Sequence, residues 1–386
     1  MVVRPSSQNF KSDNLKQRKE RIRHSRGFKV GSLHTNSIGH LAHETDMYLS
    51  SNEFDSNKLT FWIPGSYIAN QYLYNVLCKY VRVSQNQIIK IIYRIATKYK
   101  FLHRYLIANV DCSPRNRKLL NDTAAKIQLP ESDLEVAKTF LCRSGWIEEQ
   151  KIVVFCIRDN LYQLTSDPQS KVQNYRNSEL EDFLPAVEYL CEENFFVIRM
   201  GRLARDRFPV VNPNFLDYSF EKHKSDFLDI AIFALADFVI STGTGLDQVG
   251  EMFRKPVLRV NYLPIGDVMT RSRNQRVLPK LFEDIFTNKR LDLDEIVQRE
   301  LFLANSDDQY AKANVKIISN PASSILEEVR HFVSKSNYGI KCDVRLQTKF
   351  CQYMSQYSGF SEQDTPILSP LWEIKRIENF SKDYES

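Results

Sequence analysis

From Phe28 onward the chain alternates short apolar runs with stretches in which apolar residues recur at i, i+3 and i+4. The short runs predict strands and the spaced pattern predicts amphipathic helices. Their succession predicts parallel sheets joined by crossover helices rather than a sandwich or a bundle. FKVGSL (28–33) and KLTFWIP (58–64) read as the first two strands, the second closed by Pro64-Gly65. YIANQYLYNVLCKYV (67–81) and QNQIIKIIYRIATKYKFL (85–102) read as helices, and another begins near Ser132, ahead of Gly145. KIVVFCIRD (151–159) is an uninterrupted apolar strand, the kind expected where both faces of a sheet are covered. A helix with an acidic first turn (178–194) follows, then the strand FFVIRMG (195–201) and the helix SDFLDIAIFALA (225–236), with Ser225 as N-cap. The strand DFVIS (237–241), a helix from about Leu246 and the strand PVLRVN (256–261) continue the βαβ repeat.

A chain of 386 residues exceeds what one core usually serves, so two domains are expected. The pattern places a basic arm at 1–26, an N-terminal domain at 27–148, a second at 149–335 and a tail at 336–386. The tail's amphipathic end, LWEIKRIENF, suits a helix packed back across the domains, and a flexible tail fits as well. The seven cysteines are dispersed, with no C-x-x-C and no zinc-like spacing, as expected of reduced thiols. Net charge is +6, and the first thirty residues hold nine Lys/Arg against Asp13 and Glu20. The remainder is nearly neutral. The arm suits weak contact with an anionic membrane surface, but it lacks aromatics for base stacking, so nucleic acid is not an expected partner. No apolar run is long enough to span a membrane and the N-terminus has no signal-peptide core, which predicts a cytoplasmic location, peripheral at most to the inner face of the cell membrane.

The strand at 237–241 stops at Ser241-Thr242-Gly243-Thr244-Gly245, and a helix resumes. In doubly wound sheets ligands sit beyond the carboxyl ends of strands, where strand-to-helix turns offer N–H groups to phosphate oxygens. Gly243 and Gly245 permit close approach, and Thr242 and Thr244 offer hydroxyls. The same residues would equally build a tight turn and N-cap. The stretch is neither a Walker loop nor a G-x-G-x-x-G fingerprint.

The order helix, ADFVIS, TGTGLDQVGEMFRKPVL resembles the donor half of GT-B glycosyltransferases, which have two facing Rossmann-like domains. Its nearest pattern is that of lipopolysaccharide heptosyltransferases. Thr242-Gly243-Thr244-Gly245 takes the place of their small-residue turn, and Arg254-Lys255-Pro256-Val257 that of the following strand entry. IGHLAHETDMYLS (38–50), RNSELEDFLPAVEYL (176–190), FFVIRMG and SDFLDIAIFALADFVISTGTGL (225–246) together resemble an uncharacterised bacterial family of glycosyltransferases related to that group, over about 38 to 261.

The resemblance implies transfer of a sugar from a nucleotide-sugar donor to a hydroxyl acceptor in a cell-surface polysaccharide, glycan or glycolipid. It also implies inversion and no metal or other cofactor. Where heptosyltransferases carry a Gly-Asp turn with a proposed catalytic Asp, this chain has Ile38-Gly39-His40. A neutral imidazole can take a hydroxyl proton near pH 7, so His40 is the candidate base and Glu44 its orienting carboxylate. Gly39 and His43 are candidates on the acceptor side, His43 being expected on the same helix face. For the donor's diphosphate, Arg158 and Arg199 at strand ends and Arg202 after Gly201 join Thr242, Gly243, Thr244 and Gly245; Arg176 and Arg205 are further cations nearby. Asp226 and Asp229 read as dipole partners of their own helix. A nucleotide-sugar hydrolase or epimerase of the same architecture, and a non-catalytic nucleotide- or glycan-binding protein, stay open as alternatives.

Overall fold

The structure is a computed structural model that describes residues 27–51, 54, 59–107, 123–166, 173–268, 275–334, 343–362 and 365–372. The basic arm at 1–26 and the end of the tail from 373 lie outside these residues. In the first lobe, β1 (Phe28–Leu33) pairs in parallel with β2 (Leu59–Pro64). Parallel bridges from Val30 to Leu106 and from Trp62 to Val83 extend the pair on both sides. Helices α1 (Ile38–Ser50), α2 (Gln71–Leu77), α3 (Gln87–Lys98) and α4 (Glu131–Arg143) follow the strands.

The second lobe is built on a parallel sheet of seven strands. β3 (Ile152–Cys156), β4 (Phe196–Arg199) and β5 (Phe215–Asp217) run outward in one direction. The chain then returns through α5 (Leu228–Leu235) to β6 (Phe238–Ser241), which lies on the other side of β3. From there β7 (Val257–Tyr262), β8 (Arg276–Pro279) and, past the antiparallel pair β9 (Leu281–Asp284) and β10 (Val315–Ile318), β11 (Ile367–Leu368) complete the order β5-β4-β3-β6-β7-β8-β11. This is the doubly wound arrangement, with its switch point between β3 and β6.

The continuity of the apolar strands has a direct structural cause. Every residue of β3 is buried, with Val153 and Phe155 facing one core and Ile152, Val154 and Cys156 the other. Successive side chains point to opposite faces, so a strand covered twice must be apolar throughout. The second of these cores also contains Leu33, Leu41, Met47, Trp62 and Leu73 from the first lobe, so one apolar cluster spans both lobes. Helix α4 packs on α5 of the second lobe although the sequence groups it with the first.

The tail packs on the second lobe. Helix α6 (Val344–Tyr353) buries Leu346 and Phe350 in that lobe's core, and β11 adds the last strand to its sheet. Ser369 bonds to Glu328, which also receives Arg276 Nε at 2.6 Å. Over 343–372 the tail attaches to this lobe, and the amphipathic end expected to form a packing helix lies outside the described residues from 373 on.

A bidentate ion pair joins the lobes. Arg254, just after α7 (Asp247–Met252), places Nη1 2.7 Å and Nη2 3.1 Å from the carboxylate of Asp46 on α1, and its Nε bonds the carbonyl of Thr123. Asp46 is fully buried, and burial raises its pKa against the opposing pull of Arg254. Removing one partner of a buried pair strands the other charge. Asp46→Ala is expected to lower the unfolding free energy by about 3 kcal/mol, read from urea unfolding; a loss near zero would show that the seam is held by apolar packing alone.

Candidate functional site

The crevice beyond the carboxyl ends of β3 and β6 is where a doubly wound sheet takes its ligand. Arg158 leaves β3 there, and the Ser241–Gly245 turn leaves β6. Its bonds are mostly internal. The N–H of Gly243 donates to Ser241 Oγ, Thr244 N–H donates to the Asp247 carboxylate at 3.2 Å, and Ser241 Oγ donates to the same carboxylate at 2.8 Å. Thr242 N–H donates to the Cys156 carbonyl, and the Thr242 hydroxyl accepts from Arg158 N–H. The Thr244 hydroxyl lies beside the Cys156 thiol, whose pKa burial raises well above normal. The expectation that Thr242, Gly243 and Thr244 offer their amides to a phosphate thus meets amides already bonded within the fold. Asp247, an acidic residue in the first helical turn, holds the Thr244 amide directly and the Gly243 amide through Ser241 Oγ.

The turn's contribution is its shape and its neighbours. Gly243 has φ +85°, and a Cβ there would stand 2.7 Å from the Tyr262 ring. Arg176 reaches over the turn and bonds the Gly243 carbonyl, while its Nη1 and Arg158 Nη2 both bond Gln173 Oε1, at 3.0 and 3.4 Å. Two guanidiniums therefore share one neutral partner at the switch point. Burial first, and the charge of Arg176 second, pull Arg158 down to about 10. An anion between them would relieve that repulsion.

The other predicted cations lie elsewhere. Arg199 is buried, donates to the Asp206 carbonyl at 2.7 Å and pairs with Asp217 at 3.3 Å; its side chain is a strut between β4 and β5. Arg202 reaches the first lobe, bonding the Ala69 carbonyl at 2.9 Å and pairing with Asp226 at 3.5 Å. Both are corrected as donor ligands. Asp226 accepts from Gln71 N–H at 2.7 Å and so caps α2 of the opposite lobe rather than its own helix, whereas Asp229 takes the Tyr218 hydroxyl and is pushed by burial to about 6. Ser225 Oγ accepts from Leu228 N–H, but the N-cap position of α5 is Phe227, so Ser225 steadies the turn before the helix rather than capping it as expected.

Facing this crevice from the first lobe is the start of α1. Glu44 accepts from two imidazoles: His40 Nδ1 lies 3.1 Å from Oε1, and His34 Nδ1 lies 2.8 Å from both carboxylate oxygens. The bond to Glu44 raises the pKa of His40 against a smaller lowering by burial. His34, absent from the sequence-based set, is the first residue after β1, and that strand-end position is the signal that could have found it. His43 is buried and turns away from the other two, which corrects its expected place on their face. Neighbouring helical positions diverge by about 100°, so His43 and Glu44 cannot share a direction. His34, His40 and Glu44 each present one ligand atom, all within 4.8 Å, and are the described residues able to hold a divalent cation.

The two halves of the site touch. A Cβ on Gly39 would lie 2.9 Å from Gly245 Cα and 3.0 Å from its carbonyl oxygen, so the helix start and the turn meet backbone to backbone. A surface cavity of about 760 Å³ lies apart, lined by residues that include Phe140, Arg143, Glu221, His223 and Phe227, and shares no residue with this site.

No protein-family model and no curated protein matches this chain. Among solved structures, the chain is similar to ADP-heptose lipopolysaccharide heptosyltransferase II of E. coli, with 11% identity over 79% of this chain and 98% of that one and a TM-score of 0.45. It is also similar to a family 9 glycosyltransferase from Veillonella parvula, with 12% identity, the same coverage and a TM-score of 0.44. A UDP-N-acetylglucosamine 2-epimerase matches with 11% identity over 81% of this chain and 97% of that one, at a TM-score of 0.31.

Gly39→Ala tests the contact between lobes. A methyl group facing fixed backbone forces the helix start and the turn apart, so the variant is expected to fold but to lose most ligand affinity at the switch point, measured by calorimetry. Unchanged affinity would separate the turn from the first lobe.

Proposed function

We propose that the protein is a glycosyltransferase that moves a sugar from a nucleotide-sugar donor to a hydroxyl of a cell-surface glycan or lipid-linked acceptor, with inversion and without a metal. The observation that carries this reading is the contact of Gly39 with Gly245, which sets a His40/Glu44 dyad beside a switch point bearing paired arginines. The sequence resemblance supports the same reading. In this reading the protein works in the cytoplasm, peripherally at the inner face of the cell membrane.

In this reading the donor's diphosphate sits against Arg158 and Arg176. The acceptor oxygen attacks the anomeric carbon opposite the diphosphate, and the carbon–oxygen bond to the diphosphate breaks. The two guanidiniums neutralise the charge that gathers on the leaving group. His40 donates Nδ1–H to Glu44 and so presents Nε2 to take the acceptor's proton. His34 shares the same carboxylate and holds it in place.

Two measurements test the reading. Nucleoside diphosphates and nucleotide sugars are screened by thermal shift; one of them at about 100 times its Kd should stabilise the protein by about 2.7 kcal/mol. The shift should vanish in Arg158→Gln/Arg176→Gln, and no shift with any nucleotide would sink the donor site. With the nucleotide sugar so identified, release of nucleoside diphosphate in the presence of glycan acceptors gives the pH profile. A base must be neutral, so the raised pKa of His40 sets an acid limb above the ordinary imidazole value; Glu44→Gln removes the bond that raises it and should move the limb to lower pH. EDTA should leave the rate unchanged, and loss of activity in EDTA would instead give the two histidines and Glu44 a metal. Release without acceptor would favour the hydrolase or epimerase alternative.

A further inference from the structure

Helix α3 presents an apolar stripe to solvent. Ile88, Ile91 and Ile95 are 66%, 51% and 46% exposed, and Phe101 in the 3-10 turn that continues it is 71% exposed. These positions lie on one helical face, whereas the opposite side buries Ala96 and packs on β1 and β2. Arg94, Lys98, Lys100 and Arg104 are exposed and Lys90 half-exposed, so a cationic stripe borders the isoleucines. From 56 to 110 the sequence holds eight Lys/Arg and not one Asp or Glu. Contiguous exposed apolar residues on a soluble lobe mark an interaction surface.

We propose that α3 and the turn at 100–105 dock the first lobe on an anionic lipid bilayer, lying in the plane of the headgroups. Charge and shape together select this occupant. Aliphatic side chains enter the acyl boundary, and the adjoining cations meet the phosphates of anionic lipids. Base stacking would require a row of aromatic platforms, whereas the helical stripe is three isoleucines and the exposed aromatics, Tyr99 and Phe101, stand only at its end. A second copy of the chain would oppose cations to cations. Among the described residues no helix is long and apolar enough to cross a membrane, so the contact is interfacial. The proposal does not rest on the glycosyl-transfer reading, and it locates membrane contact on a folded element of the first lobe instead of the 1–26 arm.

The test is flotation of the full chain with vesicles of phosphatidylcholine alone and of phosphatidylcholine mixed with phosphatidylglycerol, at low and high salt. Binding is expected only to the mixed vesicles and should weaken as salt rises. Lys90→Gln/Arg94→Gln/Lys98→Gln should weaken it roughly 100-fold, from three lost cations. Ile88→Ser/Ile91→Ser/Ile95→Ser should weaken it about tenfold or more at unchanged charge. These side chains are solvent-facing, so both variants should keep the wild-type melting temperature. A chain lacking 1–26 should still bind. Binding that survives both triple variants, that disappears with 1–26 alone, or that occurs on single-stranded RNA and on no vesicle would overturn the proposal.

Discussion

The arrangement depends on one seam, where α1 of the first lobe lies on α7 of the second. At one end Gly39 and Gly245 meet with no side chain between them; at the other, Arg254 grips the buried carboxylate of Asp46 with two hydrogen bonds. The first contact requires a residue without a Cβ at position 39, and the second is tolerable only because each charge finds a partner out of water. Between them the apolar cluster runs unbroken from Leu33 to Phe233. Because the seam fixes α1 against the β6 turn, every side chain on the first turns of α1 is positioned by the second lobe. That is how the start of α1, far away in sequence, comes to lie on the turn after β6.

Positive charge at the crevice is also controlled by what neutralises it elsewhere. Arg199, Arg254, Arg259 and Arg276 each have a carboxylate within reach, and each is committed to the scaffold: Arg259 pairs with buried Glu251, Arg276 with buried Glu328. Burial pushes Glu251 up to about 7, which measures how much such pairs depend on their geometry. Arg158 and Arg176 differ in kind. They crowd each other over a glutamine oxygen, and Arg176 also bonds a backbone carbonyl.

Much of the fold was legible in the sequence because it rests on local pattern. The strands β1, β2, β3, β4, β6 and β7 and the helices between them follow from apolar runs and from 3.6-residue spacing. What was not legible is pairing. Nothing within 196–199 announces that Arg199 will meet Asp217, or that Asp226 will cap a helix of the other lobe, since each partner is brought by tertiary packing. The attachment of 343–372 was hidden for the same reason: two residues of strand at 367–368 join it to the sheet, and so short a run leaves no signature.

The turn at 241–245 shows how a motif can be located correctly and yet assigned the wrong atoms. Small residues after a strand and before a helix do mark the switch point, because backbone must pass close to backbone there. The inference that the amides are free for phosphate fails on one residue, Asp247, whose carboxylate takes Thr244 N–H and Ser241 Oγ. A carboxylate fixed in the amide cradle repels a phosphate placed on top of it, so an anionic ligand at this crevice must be held by side chains from the neighbouring segment. Arg158 and Arg176 stand on that side, Arg176 bonded to the Gly243 carbonyl.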